Sequence, residues 1–166
     1  IQDDDRSSGI RVIGQPVAKL GQRAAVKGFL AVLNGEAVIY ATEIVASATA
    51  DTAEPLAMTV RSVGGGALGV QPATFAGDAL DNLLPSNLNT TGLLIRVAGK
   101  LVVDGYDEFI DDGSGFPLRI DWPSGTGGSD GDPIAVTGVS TVNWDSVAQK
   151  GFRVITPRKD SDIDLY

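Results

Sequence analysis

Residues 24–45, AAVKGFLAVLNGEAVIYATEIV, decide the fold class. Val, Ile, Leu, Ala and Tyr dominate residues 24–33 and again residues 36–45, with Asn34-Gly35 between them. Branched and aromatic side chains fit a pleated strand. Asn-Gly is the preferred two-residue hairpin turn, because both of its positions take positive φ. The stretch therefore predicts two antiparallel strands joined by a tight turn.

Part of this stretch recurs. GQRAAVKG at 21–28 matches GDPIAVTG at 131–138, on the common pattern G-x-x-[AI]-A-V-x-G. Upstream, Asp3-Asp4 followed by Ser8-Gly9 matches Asp111-Asp112 followed by Ser114-Gly115. An alternating run follows each acidic turn: Ile10-Arg11-Val12 in one case, Leu118-Arg119-Ile120 in the other. Three matches in one order, about 110 residues apart, mark an internal repeat. The second copy carries five expected strands, at 93–103, 107–111, 117–122, 133–142 and 151–156. Gly99 within the first marks a bulge or a close backbone approach. Five short antiparallel strands are the count of an OB-type Greek-key barrel.

The first copy contains only the later strands of that set, and Ile1 aligns within the second. The sequence is accordingly divided into an incomplete unit at 1–50, a Gly-rich connector at 51–92 and a complete unit with a C-terminal tail at 93–166. The expected fold is all-β: two OB-like barrels in tandem, the first lacking its first strand. A short helix is expected over 78–84. Leu56, Met58, Val60, Leu68, Val70 and Phe75 give the connector apolar side chains with which to pack across both units.

Composition sets limits on function. The 13 basic residues are scattered among 21 acidic ones, for a net charge of −8. Phosphate backbones are bound by clustered Lys and Arg, so nucleic acid is not an expected partner. There is no histidine and no cysteine. That excludes disulfides, thiol nucleophiles, the Ser-His-Asp arrangement and the commonest zinc ligands. Residues 64–69 lack the Gly-Lys-Ser/Thr of a phosphate loop. Paired carboxylates are the remaining catalytic option, but no motif singles out a pair, and the expectation is that the chain is not an enzyme. No run of about 18 apolar residues is present to span a membrane.

The segments IQDDDRSSGIRV, TGLLIRVAGKL, FIDDGSG, AVTGVS and RVITPRKDSDI together resemble tandem OB-fold-like repeats of bacterial secreted and cell-surface proteins. In that family a G-x-V strand leads to a Y-I-D-D-G-S-G turn and a G-D-x-V-x-V-T-G strand, and each unit closes on an I-R-P-R element. The resemblance covers essentially the whole chain. It implies an extracellular or cell-surface location and a module that mediates contact. It brings no catalytic residues.

Several residues are candidate sites. Asp3, Asp4, Asp5, Asp111 and Asp112 lie in Asp/Ser/Gly turns, where carboxylates accept hydrogen bonds from their own turn amides. Calcium, which takes six to eight oxygens, is the alternative, with residues 125–132 as a second weak location. No other cofactor is expected. Among the aromatics, Phe109 and Trp122 are expected in the core. Tyr106, Phe116 and Trp144 are candidates for a stacking surface, of the kind OB folds use for sugars. Asn89-Thr90-Thr91 fits the N-glycosylation sequon.

The remaining expectation concerns assembly. A barrel without its first strand has open edges that accept a strand from another chain. Ile1 and Gln2 lie at that edge. Ile163 and Leu165 alternate in the tail before Tyr166, a period suited to an added strand. Head-to-tail addition of copies of the chain would give a filament or surface layer. The alternatives are a fragment whose missing strand lies upstream in a longer parent, and a sugar- or protein-binding module of a larger surface protein.

Overall fold

The computed structural model describes residues 1–15, 17–49, 53–75 and 89–166. The described residues are all-β. In order the strands are β1 (Arg11–Ile13), β2 (Gln22–Leu33), β3 (Glu36–Thr49), β4 (Leu56–Ala57), β5 (Leu94–Asp104), β6 (Asp107–Asp111), β7 (Leu118–Ile120), β8 (Pro133–Asp145), β9 (Lys150–Thr156) and β10 (Ile163–Leu165). Helical structure among them is limited to two 3-10 turns, at Val60–Ser62 and Asp160–Asp162. The helix expected over 78–84 falls outside the described residues.

β5 to β9 are the five strands expected in the second unit. β5 pairs antiparallel with both β6 and β8, β6 with β7, and β8 with β9, while β7 and β9 are parallel. These pairings close a barrel-like ring. β8 is long enough to pair with β5 over 133–139 and with β9 over 139–145. Alternate side chains along these strands point inward. Ile95, Val97, Leu101, Ile110, Leu118, Ile134, Val136 and Ile155 form the interior, none more than 1% exposed. The alternation puts Ile110 inside and its neighbour Phe109 on the outer face, half-buried, against the expectation that Phe109 fills the core. Trp122 packs against the core as expected.

The connector takes part in this core. β4 pairs parallel with β5, and Val60 and Val63 join the interior. Arg153 on β9 secures them. It is 2% exposed, and its Nη1 donates to the carbonyls of Val60 (2.6 Å) and Val63 (2.9 Å). Its Nη2 donates to the Phe116 carbonyl at 2.6 Å. Burial pushes this guanidinium down to about 10, against the opposing charge of Asp112, so it stays protonated at neutral pH. Asp112 accepts the Val60 amide at 2.9 Å. A buried cation needs this many acceptors to offset its lost hydration.

β1, β3 and β2 form a separate three-stranded sheet in that order. β1 is parallel to β3, and β2 is antiparallel to β3. The larger sheet contains the same order and senses in β7, β9 and β8. The β2–β3 turn is the one expected: Asn34 and Gly35 have φ of 49° and 73°. The small sheet touches the ring at several points. A Cβ added to Gly9 would lie 2.2 Å from the Gly92 carbonyl oxygen, so the two backbones are in direct contact. Gln2 Oε1 accepts the Leu94 amide, and the buried Glu36 accepts from Thr141 Oγ1. From the connector, Gln71 accepts the Ala37 amide and donates to the Gly35 carbonyl.

Gly99 marks a close approach and not a bulge. The register of β5 is unbroken on both sides, and a Cβ at residue 99 would lie 2.4 Å from the Asp111 carbonyl oxygen. A Gly99→Val variant must push β6 away, and overpacking of this kind costs about 2 kcal/mol. Urea denaturation of the variant should give a midpoint lowered to match, whereas an unchanged midpoint would mean that β6 yields freely.

Candidate functional site: an open apolar cleft

The three-stranded sheet stops short of a ring. No strand among the described residues pairs with the outer edge of β2. Upstream of β1, Ile1 and Ile10 exchange backbone hydrogen bonds, and the Asp3 amide donates to the Ser8 carbonyl. Together with the Gln2–Gly9 bridge, these make a short ribbon leading into β1. Between this ribbon and β2 lies a cleft of about 1120 Å³. Its apolar lining includes Val12, Ala24, Val26, Leu30 and Ile44, and Asp3, Asp4, Lys19 and Arg23 also border it. An ion pair joins Arg23 to Asp4.

The repeat gives this lining its meaning. The shared octapeptide aligns Ala24 and Val26 with Ile134 and Val136 of β8. Those two are 1% and 0% exposed in the ring interior, whereas Ala24 and Val26 face an open cleft. Leu30 beside them is 53% exposed. Apolar exposure continues on the residues of alternate parity in β2 and β3, where Phe29 is 71% and Val45 54% exposed. Apolar residues on both faces are the pattern of a strand meant to be covered on both sides.

The acidic turns are tied up locally. Asp5 accepts the Ser7 amide, Asp3 accepts from Ser8 Oγ, and Asp111 accepts the Gly113 amide. Asp112 accepts the amides of Ser114 and Val60. In the loop at 125–132, Asp132 accepts the Ser129 amide, and Asp130 accepts the Val103 amide. Among the described residues no three acidic side chains cluster in a way that could hold a metal ion. Asp5, Asp111 and Asp112 thus accept amides of their own turns, whereas Asp3 accepts from a hydroxyl and Asp4 pairs with Arg23.

The aromatics are dispersed. Tyr106 is fully exposed at the β5–β6 turn. Phe116 lies under the Arg61 guanidinium at 5.1 Å. Trp144 is half-buried against the β2–β3 turn, where a Cβ on Gly35 would meet its ring at 2.8 Å. The sequon is enclosed: Asn89 is 7% exposed, and its Nδ2 donates to the Gly66 carbonyl at 2.8 Å. That nitrogen is not accessible for a sugar in the folded chain.

The tail residues Ile163 and Leu165 do form an added strand, but on their own chain. β10 pairs antiparallel with β8, and the Tyr166 amide donates to the Pro133 carbonyl. Ile163 packs against the core. Asp164 pairs with Arg96 at 2.6 Å, and both oxygens of Asp162 accept from Arg158 at 2.9 Å. The sequence offered little sign of Arg153 or of the Asp162–Arg158 latch. Arg153 shares the inward parity of the core residue Ile155, but the strand pattern does not reveal the connector carbonyls that accept from it, nor the pairing that encloses Asp162.

Among known proteins, no family model, no curated protein and no solved structure matches this chain. Fold and site geometry therefore carry the functional reading. The described residues contain no helix long and apolar enough to cross a membrane.

The tail latch has a pH signature. Side-chain hydrogen bonds from Arg158 hold the Asp162 carboxyl below its ordinary 3.8, outweighing the upward push of burial. A depressed folded-state value means that the stabilisation is complete above the unfolded value and is lost as pH falls through the folded one. Amide protection at Tyr166, corrected for intrinsic exchange, should hold from pH 7 to about 5 and fall below about 3.8. Asp162→Asn should reproduce the loss at neutral pH. Equal protection at pH 6 and pH 3 would remove the latch from the account.

Proposed function

We propose that this protein is a non-enzymatic structural subunit of an extracellular or cell-surface assembly. Copies join head-to-tail when a strand from one completes the open sheet of another, giving a filament or surface layer. The observation that carries this reading is the cleft, whose lining positions match core positions of the complete ring. Burying one valine-sized side chain gains about 2 kcal/mol, so the lining residues supply a driving force for strand addition. An unpaired edge next to an apolar surface is the arrangement that β-strand addition uses.

The finer description of the fold belongs to the same proposal. Both units are OB-like Greek-key barrels in tandem, the first lacking its first strand. Support for the second unit is its pairing order. Its first strand pairs with its second and fourth, and its third runs parallel to its fifth. Support for the first unit is the shared octapeptide together with the matching order and senses of β1, β3 and β2. The extracellular location follows from the resemblance stated above. The absence of histidine and cysteine fits a contact-making role better than a catalytic one.

The test is electron microscopy and sedimentation of the full chain beside a Val26→Asp variant. The expected outcome is fibres or sheets whose repeat matches one subunit, and dispersed monomers for the variant with its circular dichroism unchanged. A wild-type chain that stays a stable monomer at every concentration would overturn the reading.

A further inference from the structure

A smaller crevice, of about 200 Å³, lies where the β2–β3 turn leans on the end of β8. Arg11, Leu33, Asn34 and Glu36 border it from the small sheet, and Asn143 and Trp144 border it from β8. The Glu36 side chain is only 4% exposed. Arg11, Asn34 and Asn143 are exposed and form the rim. From this chemistry we infer a binding site for one neutral pyranose ring, the terminal residue of a glycan. The site shares no residue with the unpaired edge of β2, and the inference does not depend on the assembly proposed above.

Glu36 carries the argument. A buried carboxylate needs hydrogen-bond partners to offset its lost hydration, and its two oxygens offer about four acceptor positions. Among the described residues, both bonds that its side chain receives fall on Oε2, from Thr141 Oγ1 at 3.0 Å and from Arg11 Nη1 at 3.4 Å. The arginine contact is well beyond the ~2.8 Å of a closed charge-assisted bond. Oε1 is left to accept from a ligand hydroxyl. The Arg11 side chain, 60% exposed, keeps further N–H groups to donate.

The remaining groups select a sugar. Among the described residues, the side-chain amides of Asn34 and Asn143 have no hydrogen-bond partner. Each offers a donor and an acceptor side by side. A ring hydroxyl also donates and accepts, so neighbouring hydroxyls bridge carboxylate to guanidinium and amide to amide. Trp144 gives the apolar surface that the C–H face of a pyranose needs, and its contact with Gly35 falls on Cε3 and Cζ3 alone. Charge argues against a simple ion, because an anion would meet Glu36 and a cation Arg11. Size limits the ligand to one ring, since the crevice is smaller than the ~300 Å³ at which pockets for larger ligands begin. The exposed rim lets the rest of a glycan run out into solvent.

Saturation-transfer NMR on the full chain tests this, because it observes the small ligand whether or not the chain assembles. The probes are the methyl glycosides of glucose, mannose, galactose and N-acetylglucosamine, with glycerol and sodium acetate as controls. One or more of the glycosides should bind saturably, with a dissociation constant on the order of 1 mM, as befits a single ring with few anchors. Glycerol and acetate should not compete. Asn143→Ala, at an exposed position that leaves the core intact, should weaken this binding about fivefold, the effect of one lost hydrogen bond. Glu36→Gln, with its fold checked by circular dichroism, should weaken it at least as much. Val26→Asp in the cleft should leave it unchanged. No saturable transfer to any glycoside, full binding by Asn143→Ala, displacement by acetate, or loss of binding in Val26→Asp would overturn the inference and leave the proposed assembly standing. Binding that depends on Asn143 in a chain that never polymerises would uphold the site and remove self-assembly.

Discussion

Closure of β5 onto β8 is the constraint on which the rest of the larger sheet depends. Seven consecutive residue pairs join the two strands, and they turn an open meander into a ring with no edge at that side. Closure sends Ile95 and Val97 inward against Ile134 and Val136. Once the interior is defined, the open end of the ring must be covered, and Val60 and Val63 of the connector do this. Arg153 then becomes necessary, because a connector pressed into a ring end brings carbonyl groups that water no longer reaches.

The small sheet repeats part of this arrangement. Its strands have the order and senses of β7, β9 and β8, the same glycine at the pattern's end, and apolar residues at the matching inward positions. Gly28 and Gly138 each have a neighbouring strand's carbonyl where a Cβ would go, the Tyr40 oxygen at 2.1 Å and the Thr156 oxygen at 2.7 Å. The two sheets therefore share how these strands are built. They differ in that β8 is paired by β5, whereas no strand among the described residues pairs with the outer edge of β2, whose matching face borders an accessible groove.

Much of this was legible in the sequence because it rests on local rules. Asn34-Gly35 predicts its own turn, and the repeated octapeptide locates β2 and β8. Alternation predicts β5 through β9 to within three residues at each end. Other features depended on which segments meet in space. Phe109 and Ile110 are adjacent, and the strand's rotation, which their own letters do not set, decides which of them is buried. The Asn89 sequon reads as a surface signal, yet Gly66 and Pro72 enclose it. The tail has the period of a strand, but that period does not say which edge it joins, and β8 of the same chain offers one beside Arg96 and Arg158.

The apolar lining of the cleft also has a thermal consequence. A contact made on Val12, Val26, Leu30 and Ile44 draws its free energy chiefly from the release of water, which near room temperature is an entropic gain. Such a contact loosens on cooling and tightens with mild warming, and strongly hydrated salts such as sulfate reinforce it. An assembly held this way is soft in the cold and firm when warm, the reverse of one held by hydrogen bonds and ion pairs alone.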